Sequence, residues 1–390
     1  MIPICFLMTA VLSWVDTIPI ELPRQYHAFQ PVSIARTGGG FVLAANSEDE
    51  AAGGWSIALL KIDNDLRVVS ERVLKGEGSN TVQKIIGLED GLILLGNTTC
   101  SEGTLKRREG IQDIVVARLD EELEVRWSIN IGGRGSNHAQ DIVVSGETVT
   151  ILGWIDTPGK NIPDYTGGWD IVVAKCSLDG ELIWVKSLGS GQDDVAGVLL
   201  SDGDSVFVGY NTWSKRRKWD IEIVRLEIDG RIGWRKTVRG RGSDLIGKLI
   251  PSQEGLIVLG STDSDNFAGS ARGGVDIFVL RLSDRGTIKW AERIGGSRID
   301  MAADIVETNG MLTILGWSES NDVDVQEHIG GKDIVVFKVD LNDREVQSYT
   351  FGTLDDDWPL RIISMQDRHY FFGSTQISAT VQQPFYVKLH

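Results

Sequence analysis

The feature that most constrains this chain is a repeated stretch, whose clearest copy runs from Gly167 to Gly189 as GGWDIVVAKCSLDGELIWVKSLG. In this copy an apolar run begins after Asp170, and Asp179-Gly180 is a hairpin signal followed by a second apolar run. The pattern predicts a strand, a tight turn and a second strand. Close copies span residues 110–132, 218–240, 273–295 and 330–352, and looser copies span 53–74 and 383–390.

The spacing of these copies indicates the architecture. Corresponding positions lie 50 to 57 residues apart, with no helical pattern between them. A period of this length built only from strands is typical of a β-propeller. Each period holds four candidate strands, as in residues 140–145, 149–154, 170–176 and 182–188. The loops from second to third strands and the loops between modules then lie on one face, which we call the top face.

The two ends of the chain predict how the ring closes. The last copy is one strand short, and one unpaired candidate strand, Trp14–Leu22, precedes the first copy. An N-terminal strand that completes the last module would remove the exposed sheet edges. We therefore predict an all-β, seven-bladed β-propeller with four antiparallel strands per blade, formed as one domain by residues 14–390.

The first residues support two interpretations. Residues 2–15 are apolar enough for the core of a signal peptide, with Val11-Leu12-Ser13 as a cleavage site, but they lack a positive start. The alternative is folded structure, because Trp14-Val15-Asp16-Thr17-Ile18 matches Trp184-Val185-Lys186-Ser187-Leu188. We assign residues 1–13 to a residual hydrophobic leader and expect an extracytoplasmic protein. The apolar stretch is too short to span a bilayer.

Composition and motifs narrow the classes of ligand. The net charge of −16 argues against binding to nucleic acid or to an anionic membrane surface. The three cysteines form no disulfide framework and no metal-ligand spacing, although a bond between Cys100 and Cys176 stays open. Cys176 occupies a slot that is Leu119 in another copy, which favours a core position. No zinc-binding or phosphate-binding motif is present, so we predict no metal and no cofactor.

The consensus Gly-Gly-x-Asp-Ile-x-Val-x-(Lys/Arg)-Leu-Asp-x-x-Gly-x-x-x-Trp resembles the repeats of secreted bacterial and archaeal β-propeller proteins. It is also similar to the tryptophan-docking repeats of quinoprotein-like propellers. The second resemblance implies that the repeat tryptophans Trp127, Trp184, Trp234 and Trp290 pack between blades. Quinoprotein dehydrogenases typically have eight blades, a vicinal cysteine pair and a central calcium site. This chain has no adjacent cysteines, so the resemblance supports the architecture and argues against the cofactor.

Two groups of side chains are candidates for a ligand site on the top face. The first is aromatic and basic, suited to stacking on sugars or to a protein hot spot, although the rings could instead pack loops onto blades. It consists of Trp154, Trp169, Trp213, Trp219 and Arg216. The second is acidic, placed between blades at the predicted mouth of the central channel. It consists of Asp194, Asp244 and Asp300.

Three functions are compatible with this arrangement. The first is a non-enzymatic binding or scaffold propeller whose top face engages a protein or a glycan. The alternative is a glycan-active hydrolase or lyase that uses the interblade carboxylates as acid and base. The third, a quinoprotein-like redox enzyme, has the least support. The sequence leaves the ligand and the oligomeric state open.

Overall fold

The computed structural model describes residues 15–49, 54–106, 110–159, 162–203, 205–214, 218–253, 255–365, 368–378 and 380–389. These residues form 28 strands, arranged as seven four-stranded antiparallel sheets. The predicted seven-bladed β-propeller is confirmed. Within the described ranges, no helix is long and apolar enough to cross a membrane.

The strands follow one another around the ring in chain order. The chain begins with β1 (Val15–Pro19), which belongs to blade seven. Blades one and two contain β2 (Phe29–Thr37), β3 (Gly40–Asp49), β4 (Gly54–Ile62), β5 (Val68–Leu74), β6 (Asn80–Leu88), β7 (Gly91–Thr98), β8 (Asp113–Leu119) and β9 (Val125–Ile131). Blades three and four contain β10 (Asn137–Ser145), β11 (Thr148–Ile155), β12 (Asp170–Ser177), β13 (Leu182–Leu188), β14 (Asp194–Asp202), β15 (Ser205–Ser214), β16 (Lys218–Leu226) and β17 (Ile232–Val238). Blades five and six contain β18 (Asp244–Ser252), β19 (Gly255–Thr262), β20 (Asp276–Leu282), β21 (Ile288–Ile294), β22 (Asp300–Thr308), β23 (Met311–Ser318), β24 (Asp333–Asp340) and β25 (Val346–Phe351). Blade seven adds β26 (Asp357–Met365), β27 (Arg368–Gln376) and β28 (Gln382–Leu389).

The hydrophobic core lies between blades. The described residues form seven clusters of buried apolar side chains, and each cluster joins residues of two neighbouring blades. The third strand of each blade is therefore covered on both faces, as β12 shows with Ile171 to Ala174 all buried. Such strands are continuous apolar runs rather than alternating ones. The fourth strands are outermost and partly exposed, as at Leu182 and Ile183.

The predicted N-terminal clasp is present. Strand β1 pairs antiparallel with β28, from Val15 opposite Leu389 to Pro19 opposite Phe385. Beyond the strand, the Ile20 amide donates to the Pro384 carbonyl at 3.1 Å, and the Ile20 side chain is buried. The strand is shorter than the predicted Trp14–Leu22. Residues 1–14, including the predicted leader, lie outside the described residues.

Tryptophans of the fourth strands join neighbouring blades on the face opposite the top. The Trp127 indole donates from Nε1 to the Leu178 carbonyl at 3.0 Å, and Trp184 makes the equivalent bond to Ile228. Gly180 has a φ of 87°, and a Cβ there would lie 2.9 Å from the Trp127 ring. A glycine is required because this turn is left-handed and touches an indole. The packing implied by the resemblance is thus seen at these two tryptophans.

Candidate functional site

The acidic residues predicted at the channel mouth are buried anchors of loops. Asp194, Asp244 and Asp300 are each the first residue of a first strand, and each is 0% exposed. Asp194 accepts a bond from the Ser190 amide at 2.6 Å, and Asp300 accepts one from the Gly296 amide at 2.7 Å. Each carboxylate therefore closes the interblade loop that precedes it. The structure does not bring these three side chains together.

The environment of these carboxylates favours their neutral form. Burial raises the pKa of Asp194, Asp244 and Asp300, although hydroxyl and amide donors oppose the shift. Asp357 occupies the same position in blade seven, and burial raises its pKa to about 7, with a smaller contribution from the charge of Asp333. The close approach of these two acids requires Gly352, because a Cβ there would lie 2.6 Å from Asp357 Oδ2 and 2.8 Å from Asp333 Oδ1.

Two of the predicted tryptophans form a stack with a histidine on the top face of blade three. The rings of His138 and Trp154 are 3.7 Å apart at 10°, and those of Trp154 and Trp169 are 4.7 Å apart at 29°. His138 and Trp154 are directly opposite in the β10–β11 pairing, and Trp169 immediately precedes β12. Trp169 is 40% exposed, so one end of the stack faces solvent.

The surroundings fix this stack in place. The Trp169 amide donates to Asp193 Oδ1 at 3.2 Å, and its carbonyl accepts from the Asp194 amide at 2.7 Å. Gln112 Nε2 lies 3.2 Å from His138 Nδ1. Burial lowers the pKa of His138, which favours a neutral ring at neutral pH. The result is a neutral, preorganised aromatic surface.

The other two predicted tryptophans lie on blade four. Trp213 and Trp219 are paired across β15 and β16, with ring centroids 5.3 Å apart in an edge-to-face arrangement. Trp219 precedes Asp220 as Trp169 precedes Asp170, so the two occupy equivalent positions in neighbouring blades. Both are on the top face. Arg216 lies outside the described residues.

A second aromatic cluster, between blades six and seven, was not predicted from the sequence. Trp317 and Trp358 have ring centroids 6.0 Å apart, and Lys332 Nζ lies 5.2 Å and 4.4 Å from those two centroids. Lys332 occupies the position of Trp169, immediately before a third strand. The sequence signal for this cluster is that Trp154 and Trp317 occupy equivalent positions in two repeats.

The central channel is lined by one bulge from each blade. Every first strand has nine residues, and in each the register shifts so that the fourth residue is extra. The fourth and fifth residues of all seven strands enclose a cavity of about 190 Å³. The fifth residues are Ser33, Lys84, Asp141, Val198, Lys248, Asp304 and Arg361.

These fifth residues link six of the seven pairs of neighbouring blades. Some of them accept a hydrogen bond from the backbone amide of the sixth residue in the next blade's first strand. Asp141 Oδ2 accepts from the Leu199 amide at 2.6 Å, and Ser33 Oγ accepts from the Ile85 amide at 3.1 Å. Others donate, as Lys84 does to Asp141. The remaining links are Lys248 to Asp304, Asp304 to the Ile362 amide and Arg361 to the Ile34 carbonyl. Between blades four and five the equivalent side chain is Val198, which has no polar group.

The sequence carries a signal for this ring. A charged residue stands in the same slot of five repeats, each time within an apolar strand. Among the described residues, no group of three or more His, Cys, Asp or Glu side chains is arranged to hold a metal ion. Cys100 and Cys176 are free and buried.

Comparison with known proteins supports the fold. No protein-family model matches the sequence, and no curated protein matches it. Among solved structures, the β-propeller domain of the Trilobed protease from Pyrococcus furiosus is similar, with a TM-score of 0.52 at 10% identity over 94% of each chain. That domain is described as having an open velcro topology, whereas β1 and β28 are hydrogen-bonded here.

Two further solved structures are less similar. The Pyrococcus horikoshii acylaminoacyl peptidase gives a TM-score of 0.49 at 12% identity, over 93% of this chain and 51% of that chain. A subtype N10 neuraminidase-like protein of A/little yellow-shouldered bat/Guatemala/060/2010 gives a TM-score of 0.47 at 10% identity, over 96% of this chain and 97% of that chain. The strand order and the similarity to the Pyrococcus furiosus domain show that the chain is a seven-bladed β-propeller. No finding places it in the quinoprotein-like family.

Proposed function

We propose that this protein is a non-enzymatic binding propeller that engages a protein partner through its top face over blades three and four. The observation that carries the proposal is the stack of His138, Trp154 and Trp169, which holds one indole rigidly while 40% of it remains exposed. Large preorganised aromatic side chains supply most of the affinity at protein interfaces, because they bury much area at little entropic cost.

The neighbouring surface favours a protein over a glycan. Ile111 is 67% exposed and precedes Gln112, whose side chain contacts His138, so an exposed aliphatic residue is adjacent in sequence to a residue that contacts the stack. Trp213 and Trp219 add a second pair of rings on the next blade. A surface of aliphatic and aromatic groups with a polar margin is typical of the centre of a protein interface. A glycan remains the alternative partner for the same rings.

The interblade aspartates that a hydrolase would use as acid and base are not accessible in this structure. A glycosidase needs two accessible carboxyl groups on either side of the scissile bond. Asp194, Asp244 and Asp300 are buried and bonded to their own loops. The two carboxylates that line the channel, Asp141 and Asp304, are each paired with a lysine. These observations support binding rather than hydrolysis.

Affinity capture with a matched pair of variants tests this proposal. Trp169→Ala removes the exposed ring, and Trp55→Ala removes the tryptophan at the equivalent position of blade one. We expect a protein captured by the wild type to bind Trp169→Ala at least tenfold more weakly, because hot-spot tryptophans contribute about 2 kcal/mol or more. Trp55→Ala should bind as the wild type does.

Three results would count against the proposal. Equal losses in both variants would indicate a general effect on folding, which thermal unfolding of each variant would reveal. Binding confined to a glycan array and lost in Trp169→Ala would assign the same surface to a glycan. Release of products from a glycan panel would make the protein an enzyme.

A further inference from the structure

The central channel is lined by more positive than negative side chains. The fifth residues of the first strands place three cations and two carboxylates around a cavity of about 190 Å³. Lys84 is paired with Asp141, and Lys248 Nζ lies 3.1 Å from Asp304 Oδ1. The cation left over is Arg361. The lining therefore carries one uncompensated positive charge.

Arg361 has donors to spare. Its NH1 group donates to the Ile34 carbonyl at 3.3 Å, which uses one of five N–H groups. No carboxylate among the described residues pairs with it. A planar guanidinium presents its donors as a fork that matches a carboxylate in a bidentate fashion. An oxyanion would therefore provide acceptors for the remaining N–H groups of Arg361.

The other polar groups of the lining point to the same class of ligand. The pKa of Lys84 is lowered, first by burial and further by the charges of Lys248 and Arg361, so the three cations act on one another. The Ser33 oxygen accepts from the Ile85 amide, which leaves its hydroxyl hydrogen available to donate. Gln83 and Gln140 also line the cavity and carry amide donors.

We propose that the central channel binds a small monovalent oxyanion of the carboxylate type, held by the Arg361 guanidinium. One excess positive charge matches one negative charge, whereas a phosphate dianion would leave a net negative charge beside Asp141 and Asp304. The cavity has room for an anion of a few atoms with some water, since water occupies about 30 Å³ per molecule. It is smaller than the roughly 300 Å³ at which sites for drug-sized ligands begin.

The neighbouring blades offer a variant that changes the charge without removing Arg361. Val198 occupies the slot in which Asp141 and Asp304 accept the amide of the next blade. A carboxylate at position 198 would lie in the same ring and could accept from the Leu249 amide. Val198→Asp therefore brings the net charge of the lining to zero while offering a hydrogen bond that the wild type lacks.

Thermal unfolding at constant ionic strength tests the site, with sodium chloride replaced stepwise by sodium acetate. A ligand that binds only the folded state raises the melting temperature by mass action, and we expect a saturable rise of about 1–2 °C. Isothermal titration calorimetry with acetate provides the dissociation constant directly. Arg361→Gln and Val198→Asp should each abolish binding, and Arg361→Lys should weaken it about tenfold because the fork is lost. Arg298→Gln, on an exposed loop, is the control and should bind as the wild type does.

The outcomes separate the proposal from its rivals. Acetate binding that persists in both Arg361→Gln and Val198→Asp would overturn it, as would the absence of a saturable effect in the wild type. Phosphate binding more tightly than acetate would show that the class of anion is wrong. Because Val198→Asp retains Arg361, its result stands even if Arg361→Gln fails to fold. None of these results depends on whether the top face binds a protein.

Discussion

At the scale of single residues, one buried ion pair joins two segments of blade five. Arg293 is 2% exposed, and its NH1 group donates to Asp276 Oδ2 at 2.9 Å. Its NH2 group donates to the carbonyls of Phe267, at 2.7 Å, and Ser264. The guanidinium thus joins the start of β20 to the loop that precedes it. In blade three the same slot is Ser187, which lies 3.4 Å from Asp170.

We expect Arg293→Ala to lower the free energy of unfolding by about 3–5 kcal/mol, because it removes the counter-ion of the buried Asp276 carboxylate and the donor to two buried carbonyls. Urea denaturation monitored by tryptophan fluorescence measures the change. Arg298→Ala, which alters an exposed side chain, should change stability by less than about 0.5 kcal/mol. A loss below about 1 kcal/mol for Arg293→Ala would show that water or a rearranged loop replaces the guanidinium. Adding Asp276→Asn to Arg293→Ala should recover part of the loss.

Residue-level prediction from the sequence succeeded where the interactions are local. An aspartate that opens a strand favours hydrogen bonds from the backbone amides of its own loop, and the repeat places one at the start of most third strands. Asp170 accepts such a bond from the Thr166 amide at 2.5 Å, and Asp333 accepts one from the Ile329 amide at 2.7 Å. Both partners are four residues away, within reach of a short side chain. Arg293 could not be assigned in this way, because its partners lie 17 to 29 residues away.

At the scale of elements, the N-terminal strand closes the ring. Strand β1 covers the outer edge of β28 over five residue pairs. Ile20 extends this contact, since its carbonyl accepts from Gln383 Nε2 at 2.7 Å and its side chain packs in the cluster between blades seven and one. Without these residues, the edge of β28 would be unpaired and part of that cluster would face water.

A chain starting at Pro23 should therefore unfold at a much lower temperature than a chain starting at Val15, by about 10 °C or more. The two differ only in residues 15–22, so the comparison isolates the clasp from everything before it. Differential scanning calorimetry measures both midpoints, and size-exclusion chromatography should show that the shorter chain self-associates through its exposed edge. Equal midpoints would mean that three strands suffice for blade seven.

The β-bulges explain why the ring of fifth residues in the channel was not predicted from the sequence. A period of two assigns alternate residues to opposite faces of a strand. The bulge at the fourth residue of each first strand interrupts this alternation, so residues after it cannot be assigned by counting from the strand's start. Lys84 and Asp304 therefore had no predicted direction. The clasp was predictable because it depends on a count of strands, and that count survives a local bulge.

At the scale of the whole molecule, buried acids recur around the ring. Burial raises the pKa of Asp194, Asp244, Asp300 and Asp357, which begin first strands, and of Asp333, which begins the third strand of blade six. An acid whose pKa is higher in the folded than in the unfolded state binds its proton more tightly when folded. Folding is then most favoured where the acid is protonated in both states, and stability falls as the pH rises toward the folded pKa. These five groups therefore act in the same direction.

For Asp357, the pH range over which stability is lost can be stated. Its pKa is about 7 when folded and about 3.9 when unfolded, so its contribution to stability is complete below about pH 4 and is lost as the pH rises to 7. The group bears on closure directly, because Asp357 begins β26 in the blade that the clasp completes. Blades two and three carry Asn80 and Asn137 at this position, which shows that an uncharged amide fits the joint.

We expect Asp357→Asn to flatten the fall in unfolding free energy between pH 5 and pH 8, because an amide has no charge to desolvate. The Thr353 amide, 2.7 Å from Asp357 Oδ2, can still donate to the amide oxygen, and the Thr375 hydroxyl, which contacts this carboxyl in the wild type, can accept from the amide nitrogen. The variant should thus match the wild type near pH 4, where the Asp357 contribution is complete, and exceed it at pH 8. Urea unfolding at four pH values provides the curves, with the exposed Asp355→Asn as the control. Curves that run parallel for Asp357→Asn and wild type would place the source of any pH dependence elsewhere in the ring.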